Sequence, residues 1–322
     1  MSFVKKPSKK IIWISFFVLL VLACTAALSA IYFNGKNETP IEPTPENIEE
    51  IKPSEEENTG SEEIPTDENN GKNSNKGEIN DTVDPTIKPK KDYTQLYPDM
   101  YVKRPEKQNS PNKTIFLTFD DGPSARTGEV LDILKQNNVK ATFFVVGNTS
   151  AAGKDYMKRI VEEGHTIAPH TFTHNFKSIY SSVEAYLNDF NKIYTLIYET
   201  TGVKPTIFRF AGGSKNSFNK NNYREIIAEM TRRGFDYYDW NLSTGDAAQK
   251  SLTPAEKCLS NVLNYSAKYN NAVVLMHDAQ PKTTTVQALP DLIDGLRNQG
   301  FSFQKLSNEI YPVPYSLIKP YA

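Results

Sequence analysis

The stretch TIFLTFDDGP, residues 114–123, decides how the larger part of this 322-residue chain folds. Its first six side chains are β-branched, aromatic or leucine, which is the composition of a buried strand. Asp120 and Asp121 follow, and Gly122-Pro123 then turns the chain away. Side chains alternate along a strand, so the two carboxylates face different ways and can serve different purposes. Taken alone, the segment also fits an ordinary turn with no function.

Six further strand-like runs follow this one, and helical patterns separate them. The runs are 141–146, 166–168, 207–210, 235–240, 272–276 and 301–305. The clearest helical pattern is 182–201, with a predicted capping box of Ser181 and Glu184 at its start. Seven strands that alternate with helices predict a parallel α/β fold, and closure into a (β/α) barrel would bury all of them.

Polar side chains occur where these predicted strands end. They are Asp120, Asp121, His170, His174, Arg209, Asp246, His277 and Asp278. Because barrel sites lie at the C-terminal ends of the strands, we expect these residues to share one rim. His165 precedes its strand and is interpreted as structural.

Two histidines at a spacing of four, His170 and His174, can be directed at one point by a single turn or a tight loop. With one aspartate they form a three-ligand set for a divalent metal that keeps a position open. The alternative is a histidine pair that lines a polar surface. His277 ends an apolar strand and is a candidate general acid or further ligand.

Arg209 lies within an apolar strand, where its charge requires a carboxylate partner, and Asp120 is the candidate. Gly212 and Gly213 follow it and would let a backbone N–H approach a developing oxyanion, although a plain glycine turn is the alternative. Leu275 is a candidate pocket residue just before His277.

The N-terminal third of the chain has a different composition. Residues 1–10 hold four lysines and no acid, and residues 11–33 are uncharged and mostly apolar. They predict a cytoplasmic basic tail and a transmembrane signal-anchor of roughly 34 Å, with the remainder extracellular at the cell membrane. The alternative is a cleaved signal peptide or a lipoprotein cleavage site at Cys24.

Residues 34–91 hold seven lysines against fifteen acidic residues and no aromatic residue, which predicts a disordered acidic linker. Residues 92–322 form the predicted catalytic domain. Their 26 basic and 23 acidic side chains exclude the basic surface of a nucleic-acid-binding protein. Cys258 is the domain's one cysteine, so no disulfide within the domain is expected, and it is interpreted as a small core residue. No protein partner is predicted.

Residues 112–306 resemble the carbohydrate esterase family 4 polysaccharide deacetylases, also called the NodB-homology domain. The resemblance depends on five motifs in order along the chain. They are residues 118–123, 170–174, 209–213, 240–246 and 275–277. The family implies a distorted (β/α) barrel and the metal-dependent removal of acetyl groups from sugars.

The resemblance also implies a role for each matching residue. Asp121, His170 and His174 would ligate the metal, usually zinc and sometimes cobalt or nickel. Asp120 would be the general base, oriented by Arg209, and His277 would protonate the leaving amine, supported by Asp246. Gly212 would donate its N–H to the oxyanion, and Leu275 would line the acetyl pocket.

Two positions depart from the family pattern. Ala211 stands where proline is common, so that loop is expected to be less rigid, and Ala247 stands where many members have tryptophan. Trp240 is interpreted mainly as a core residue. Because every expected ligand and proton carrier is present, we expect an altered substrate pocket rather than a loss of activity.

These features predict a metal-dependent hydrolase, membrane-anchored, that removes N-acetyl groups from amino sugars of cell-wall polysaccharide, with peptidoglycan as the expected substrate. An O-acetyl polysaccharide esterase or a non-sugar amidohydrolase would use the same site. A catalytically inactive wall-binding module is the alternative of another class. A glycosidase would need two carboxylates on either side of the scissile bond, which an Asp-His-His set does not supply.

Overall fold

A computed structural model describes residues 91–248 and 251–311 of the chain. The predicted tail 1–10, membrane span 11–33 and all but the last residue of the linker lie outside the described residues. Within the described part, no helix combines the length and the apolar character that a membrane crossing needs.

Strands and helices alternate along the described residues. The strands are β1 (Thr114–Asp120), β2 (Thr142–Val146), β3 (Thr166–Thr171), β4 (Ile207–Phe208), β5 (Asp236–Tyr237), β6 (Leu242–Ser243), β7 (Asn271–His277) and β8 (Ser302–Phe303). The helices are α1 (Ala125–Gln136), α2 (Ala151–Glu162), α3 (Phe176–Ile179), α4 (Val183–Thr201), α5 (Tyr223–Arg232), α6 (Ala255–Ser266) and α7 (Thr283–Asn298).

Every strand pair is parallel, which confirms the predicted parallel α/β fold. One sheet has the order β3-β2-β1-β7-β6 with β8 also on β1, and β4 pairs with β5 in a second sheet. Followed in a circle, this is the order β1 to β7 and back to β1, as in a barrel. In the described residues no strand ladder joins β3 to β4 or β5 to β6. A single backbone hydrogen bond from Arg209 N to Pro169 O, 3.1 Å, bridges the first gap.

Inward-facing side chains of successive strands meet in one buried cluster. Its members are Phe116, Phe144, Ala168, Ile207, Tyr238, Val273 and Leu306. They come from β1, β2, β3, β4 and β7 and from the residues just after β5 and β8. The larger apolar core lies outside this cluster, between the sheet and helices α1, α2, α4, α6 and α7. Cys258 is buried in α6, as predicted for a small core residue.

Four strand predictions miss an end by two or more residues. The predicted strand 207–210 shortens to β4, so Arg209 lies just after the strand rather than within it, and the predicted strand 301–305 shortens to β8. The expected third strand stopped before Pro169, but β3 runs through the proline to Thr171, so His170 lies inside the strand rather than after it. A register shift opposite Pro169, between Val145 and Val146, accommodates the residue that cannot donate to the ladder. The expected strand 235–240 shortens to β5, and a separate β6 follows, so the structure has eight strands where seven were predicted.

Helix α4 forms over nearly all of its predicted span because its apolar residues recur at helical spacing. The predicted capping box is wrong, however. Ser182, not Ser181, is the N-cap, and its hydroxyl accepts a hydrogen bond from Ala185 N. The Ser181 hydroxyl instead donates to Ser178 O in the preceding turn. Gly202 ends the helix in the left-handed conformation.

Candidate active site

The C-terminal ends of β1 and β3 bring three of the predicted residues together. Asp121 follows β1, His170 lies within β3, and His174 is three residues after β3. The Oδ1 atom of Asp121 lies 3.5 Å from His170 Nε2 and 3.1 Å from His174 Nε2. One donor atom from each of the three residues falls within 4.8 Å of the others. Asp121 and His174 both have positive φ, 72° and 52°, a conformation uncommon outside glycine and typical of functional sites.

The three side chains fit a divalent metal. Asp121 Oδ1 is buried and has no hydrogen-bond partner among the described residues, even though an imidazole nitrogen lies 3.1 Å away. His170 Nδ1 lies 3.0 Å from the carbonyl oxygen of Arg209. The Nδ1–H therefore donates to this carbonyl, which leaves the Nε2 lone pair directed at Asp121. Two imidazole nitrogens and a carboxylate are a usual donor set for zinc with one position open.

The charge states of His170 and Asp121 suit metal binding, whereas the contact with Asp121 outweighs burial and raises the pKa of His174. Burial lowers the pKa of His170, so its ring stays neutral and able to ligate. Burial raises the pKa of Asp121, but contact with His174 and the nearby imidazoles outweigh it and hold this pKa far below its ordinary value. Asp121 is therefore ionised at neutral pH.

A carboxylate on helix α4 shapes the loop that carries His174. Asp189 Oδ1 accepts from Phe172 N at 2.6 Å, and Oδ2 accepts from Thr173 N at 3.0 Å and from the Thr173 hydroxyl at 2.6 Å. Asp189 is not among the residues predicted from the sequence, although a charged residue on the buried face of an apolar helix is a signal that the sequence contains. Its function depends on backbone N–H groups of another element, which a sequence pattern does not show.

Asp120 and Arg209 form the buried ion pair that the sequence predicts. Arg209 Nη1 lies 2.8 Å from Asp120 Oδ1, and both side chains are almost fully buried. The guanidinium also donates to the Thr118 hydroxyl and to the carbonyls of Tyr238 and Asp239. It lies between two aromatic rings, 4.2 Å from the centroid of Phe144 and 5.6 Å from that of Trp240. Asp120 Oδ2 lies 3.9 Å from His170 Nε2, next to the candidate metal position.

His277 lies directly across from Asp120 in the paired strands β1 and β7. Its Nδ1 lies 2.8 Å from Asp246 Oδ1, and its backbone N–H donates to Asp246 Oδ2 at 2.8 Å. Burial disfavours the charged ring, but the hydrogen bond and charge of Asp246 outweigh burial and raise the pKa of His277 to about 9. The Thr285 hydroxyl also donates to Asp246. Asp246 follows the short strand β6, whereas the sequence predicted a single strand, 235–240, before it.

The remaining predicted residues surround this group. Gly212 is exposed with φ 72°, and a Cβ there would lie 2.7 Å from Cε1 of Phe176. Leu275 is buried in β7, two residues before His277. Ala211 is buried and lacks the rigidity of proline, but its carbonyl accepts from the Tyr180 hydroxyl at 2.7 Å and from Asn216 Nδ2 at 3.1 Å. Ala247 is exposed.

Two further acids lie near the site: Asp239, which is half-buried, and Asp278, which is fully buried and was predicted only to share the rim. Asp239 accepts from the backbone N–H of Ser214 at 2.8 Å and from its hydroxyl at 2.5 Å, and burial raises its pKa. Asp278 accepts from the Thr127 hydroxyl at 2.5 Å, and burial raises its pKa to about 7. Any side chain at Gly122 would overlap the Asp278 carboxylate, so this acid sets how closely the turn after Asp121 approaches β7.

Comparison with known proteins gives a consistent result. A family model described as polysaccharide deacetylase matches residues 107–238. The chain is 36% identical over 220 residues to the putative polysaccharide deacetylase YheN of Bacillus subtilis, which covers 67% of this chain and 75% of that protein. It is 33% identical over 207 residues to the peptidoglycan-N-acetylglucosamine deacetylase of Bacillus cereus, covering 63% of this chain and 73% of that protein. Among solved structures, the catalytic domain of peptidoglycan N-acetylglucosamine deacetylase from Eubacterium rectale matches with a TM-score of 0.60 and 34% identity, over 66% of this chain and 98% of that one.

Proposed function

The chain belongs to the polysaccharide deacetylase family and is a deacetylase, and we propose that its substrates are N-acetylated amino sugars of cell-wall polysaccharide, in particular peptidoglycan. The observation that carries this proposal is the convergence of Asp121, His170 and His174 beside Asp120 and His277. The names of the Bacillus cereus and Eubacterium rectale proteins support peptidoglycan as the substrate. The cyclic strand order supports the distorted (β/α) barrel of the family.

Asp121, His170 and His174 would hold the metal, for which we propose zinc because two nitrogens and one oxygen are available. When bound, the metal polarises the acetyl carbonyl and lowers the pKa of water. The tautomer of His170 is set by the Arg209 carbonyl, so one buried arginine orients both a candidate ligand and the candidate base.

The other residues would move protons and hold the substrate. Asp120, oriented by Arg209, would accept a proton from the attacking water as its oxygen bonds to the acetyl carbon. The Gly212 N–H would donate to the carbonyl oxygen as negative charge develops there. His277, charged through Asp246, would protonate the nitrogen as the carbon–nitrogen bond breaks, which gives acetate and a free amino sugar.

The test is acetate release by the full-length chain from N-acetylglucosamine oligomers and from peptidoglycan, with Asp120→Asn as the inactive control. We expect release from both substrates and a loss of at least a hundredfold in the variant, since one positioned acid–base group contributes on the order of 10² to 10⁴. Release only from O-acetylated xylan would favour the esterase alternative. Sugar binding without turnover by the zinc-supplied chain would favour the inactive wall-binding module.

We propose in addition that residues 11–33 anchor the chain in the cell membrane and that the acidic linker holds the catalytic domain outside it. The supporting pattern is 23 uncharged residues that directly follow four lysines. The test is fractionation of cells that express the chain, followed by protease treatment of intact cells. We expect membrane association that survives a carbonate wash and a catalytic domain that external protease releases. Recovery of the domain in the culture medium would favour cleavage after the apolar segment.

A further inference from the structure

An exposed aromatic side chain lies next to the candidate metal site. The rings of His174 and Phe176 contact edge to face with centroids 5.1 Å apart, and Phe176 contacts Phe218 at 5.3 Å. Phe218 is 42% exposed, whereas most phenylalanines of the described residues are buried. Among the described residues, Phe218 contacts only one other aromatic ring, that of Phe176. Packing of the core therefore does not explain why a phenylalanine occurs at this position.

The loop that presents Phe218 is held by several side-chain hydrogen bonds. Asn216 Oδ1 accepts from the backbone N–H groups of Phe218 and Asn219, at 2.9 and 3.1 Å. Asn219 Oδ1 accepts from Asn216 N at 2.8 Å, and the start of the loop is held by the half-buried Asp239, which accepts from Ser214 N at 2.8 Å. An exposed ring on a braced loop loses little conformational entropy when a ligand covers it.

Phe176 connects this ring to the position where the acetyl group would react. A Cβ on Gly212 would fall 2.7 Å from Cε1 of Phe176, so the Phe176 ring edge lies directly against the Gly212 backbone. The same Phe176 ring also contacts the His174 ring edge to face. Phe176 therefore borders the space between one candidate metal ligand and the candidate oxyanion donor, and Phe218 extends this border outward.

We propose that Phe176 and Phe218, here called the aromatic platform, bind the apolar face of a pyranose ring one position along the polysaccharide from the sugar that is deacetylated. The inference depends on the proposed function. A pyranose presents C–H groups on its faces and hydroxyls at its rim, so a flat, partly exposed aromatic surface removes the C–H face from water and leaves the hydroxyls solvated. The platform would make the enzyme act on chains in preference to single sugars.

The test compares the wild type with Phe218→Ala and with Tyr198→Ala as the matched control. Tyr198 is 44% exposed, and it lies near the end of α4, which returns the chain to the opposite end of the strands. With N-acetylglucosamine oligomers of increasing length, Phe218→Ala should raise KM for the longer oligomers about tenfold, which corresponds to the removal of roughly 55 Å² of apolar surface from water. Its rate on a small acetyl ester, its zinc content and its Tm should equal those of the wild type, and Phe218→Tyr should restore the KM.

Binding is measured separately by titrating the hexamer of N-acetylglucosamine into zinc-loaded Asp120→Asn and into the same variant with Phe218→Ala. Weaker binding in the double variant supports the platform even if the wild type releases no acetate, in which case only the proposed function fails. Equal KM and equal binding with and without Phe218, in an enzyme that does release acetate, overturn the platform and leave the proposed function standing. An equal rise in KM for Tyr198→Ala would also overturn it.

Discussion

Asp246 controls the charge of His277 through a single hydrogen bond of 2.8 Å. Because this contact raises the pKa of His277 to about 9, the ring is protonated across the neutral range, as a general acid must be. We expect the kcat/KM of the wild type to fall as the pH rises past about 9. Asp246→Asn removes the negative charge, so it should lower the pKa of His277 and move this alkaline decline to lower pH.

The measurement is the pH profile of kcat/KM for wild type, Asp246→Asn and Asp294→Asn. Asp294 has an exposed carboxylate on α7 and serves as the control for loss of one negative charge. An alkaline decline at the same pH in Asp246→Asn and in the wild type would show that His277 is not the titrating acid.

Arg209 is the residue whose loss should most affect stability. Its fully buried guanidinium neutralises Asp120 and donates to two backbone carbonyls. Arg209→Met keeps much of the volume but leaves a buried carboxylate unpaired, which typically costs about 3–5 kcal/mol of unfolding free energy. Urea denaturation measures this loss. Because the two residues share one interaction, Asp120→Asn with Arg209→Met should cost less than the sum of the single variants, and simple additivity would contradict the pairing.

The sequence predicts the interaction partner of a single side chain only where the residues beside it in the chain show that a partner is needed. A guanidinium in the run Phe208-Arg209-Phe210 requires a carboxylate, and Asp120 was the candidate at the neighbouring strand end. The partners of Asp189 and Asp239 are backbone N–H groups of distant loops. The position of Asp189 on the apolar face of α4 indicates that it needs a partner, but nothing in the neighbouring residues of either aspartate specifies which groups they bind.

Helix α4 and the loop after β3 act as one unit through Asp189. The loop holds His174 at positive φ, and three hydrogen bonds to the Asp189 carboxylate oppose its relaxation. Asp189→Asn keeps the shape but removes the charge and one acceptor. We expect zinc affinity to fall about 10- to 100-fold, the usual effect of losing a residue that orients a ligand.

Competition with a chromophoric chelator measures this affinity directly, and Asp155→Asn on the exposed surface of α2 is the matched control. Measuring Tm with and without zinc separates an effect of Asp189→Asn on zinc binding from an effect on the stability of the fold. If Asp189→Asn lowers Tm by the same amount with and without zinc, and zinc affinity is unchanged, then Asp189 contributes only to stability.

The elements themselves differ in how far the sequence predicts them. The long strands β1 and β7 were predicted because strands buried on both faces leave continuous apolar runs. Helix α4 was predicted because burial of one face leaves a repeating pattern. Strands β4, β5 and β6 have two residues each, too few for any period to show. The end of β3 was misjudged because proline usually stops a strand, whereas here the pairing with β2 continues past Pro169 by skipping His170.

Over the whole molecule, parallel pairing converts sequence order into spatial proximity. Asp120 and His277 are far apart in the chain, but the register of β1 against β7 makes them neighbours. The expectation of one rim followed from alternating strands and helices alone, since all parallel strands end on the same side. The gaps at β3–β4 and β5–β6 could not be expected in this way, because they depend on how Arg209 and the residues around Asp239 pack inside the ring.

One arginine at the end of α5 donates several hydrogen bonds to the N-terminal segment of the described domain. Arg233 is fully buried, pairs with Glu229 at 2.7 Å, and donates to the carbonyls of Tyr93, Leu96, Tyr97 and Met100. The backbone adds a hydrogen bond from Val102 N to Arg233 O at 2.8 Å. This contact fixes where the chain that leads from the predicted anchor joins the domain.

We expect Arg233→Met to release this segment before the rest of the domain unfolds, because four carbonyls and the Glu229 carboxylate lose their donor together. Brief chymotrypsin treatment of the native chain should then cut at Tyr97 or Tyr101 many times faster than in the wild type, while acetate release stays within twofold. Arg104→Met is the control, since Arg104 makes one exposed hydrogen bond from the same segment to Thr231 O. If Arg233→Met loses acetate release in parallel with the new cleavage, the N-terminal segment also stabilises the active site. The prediction that Arg233 affects only the N-terminal segment would then be wrong.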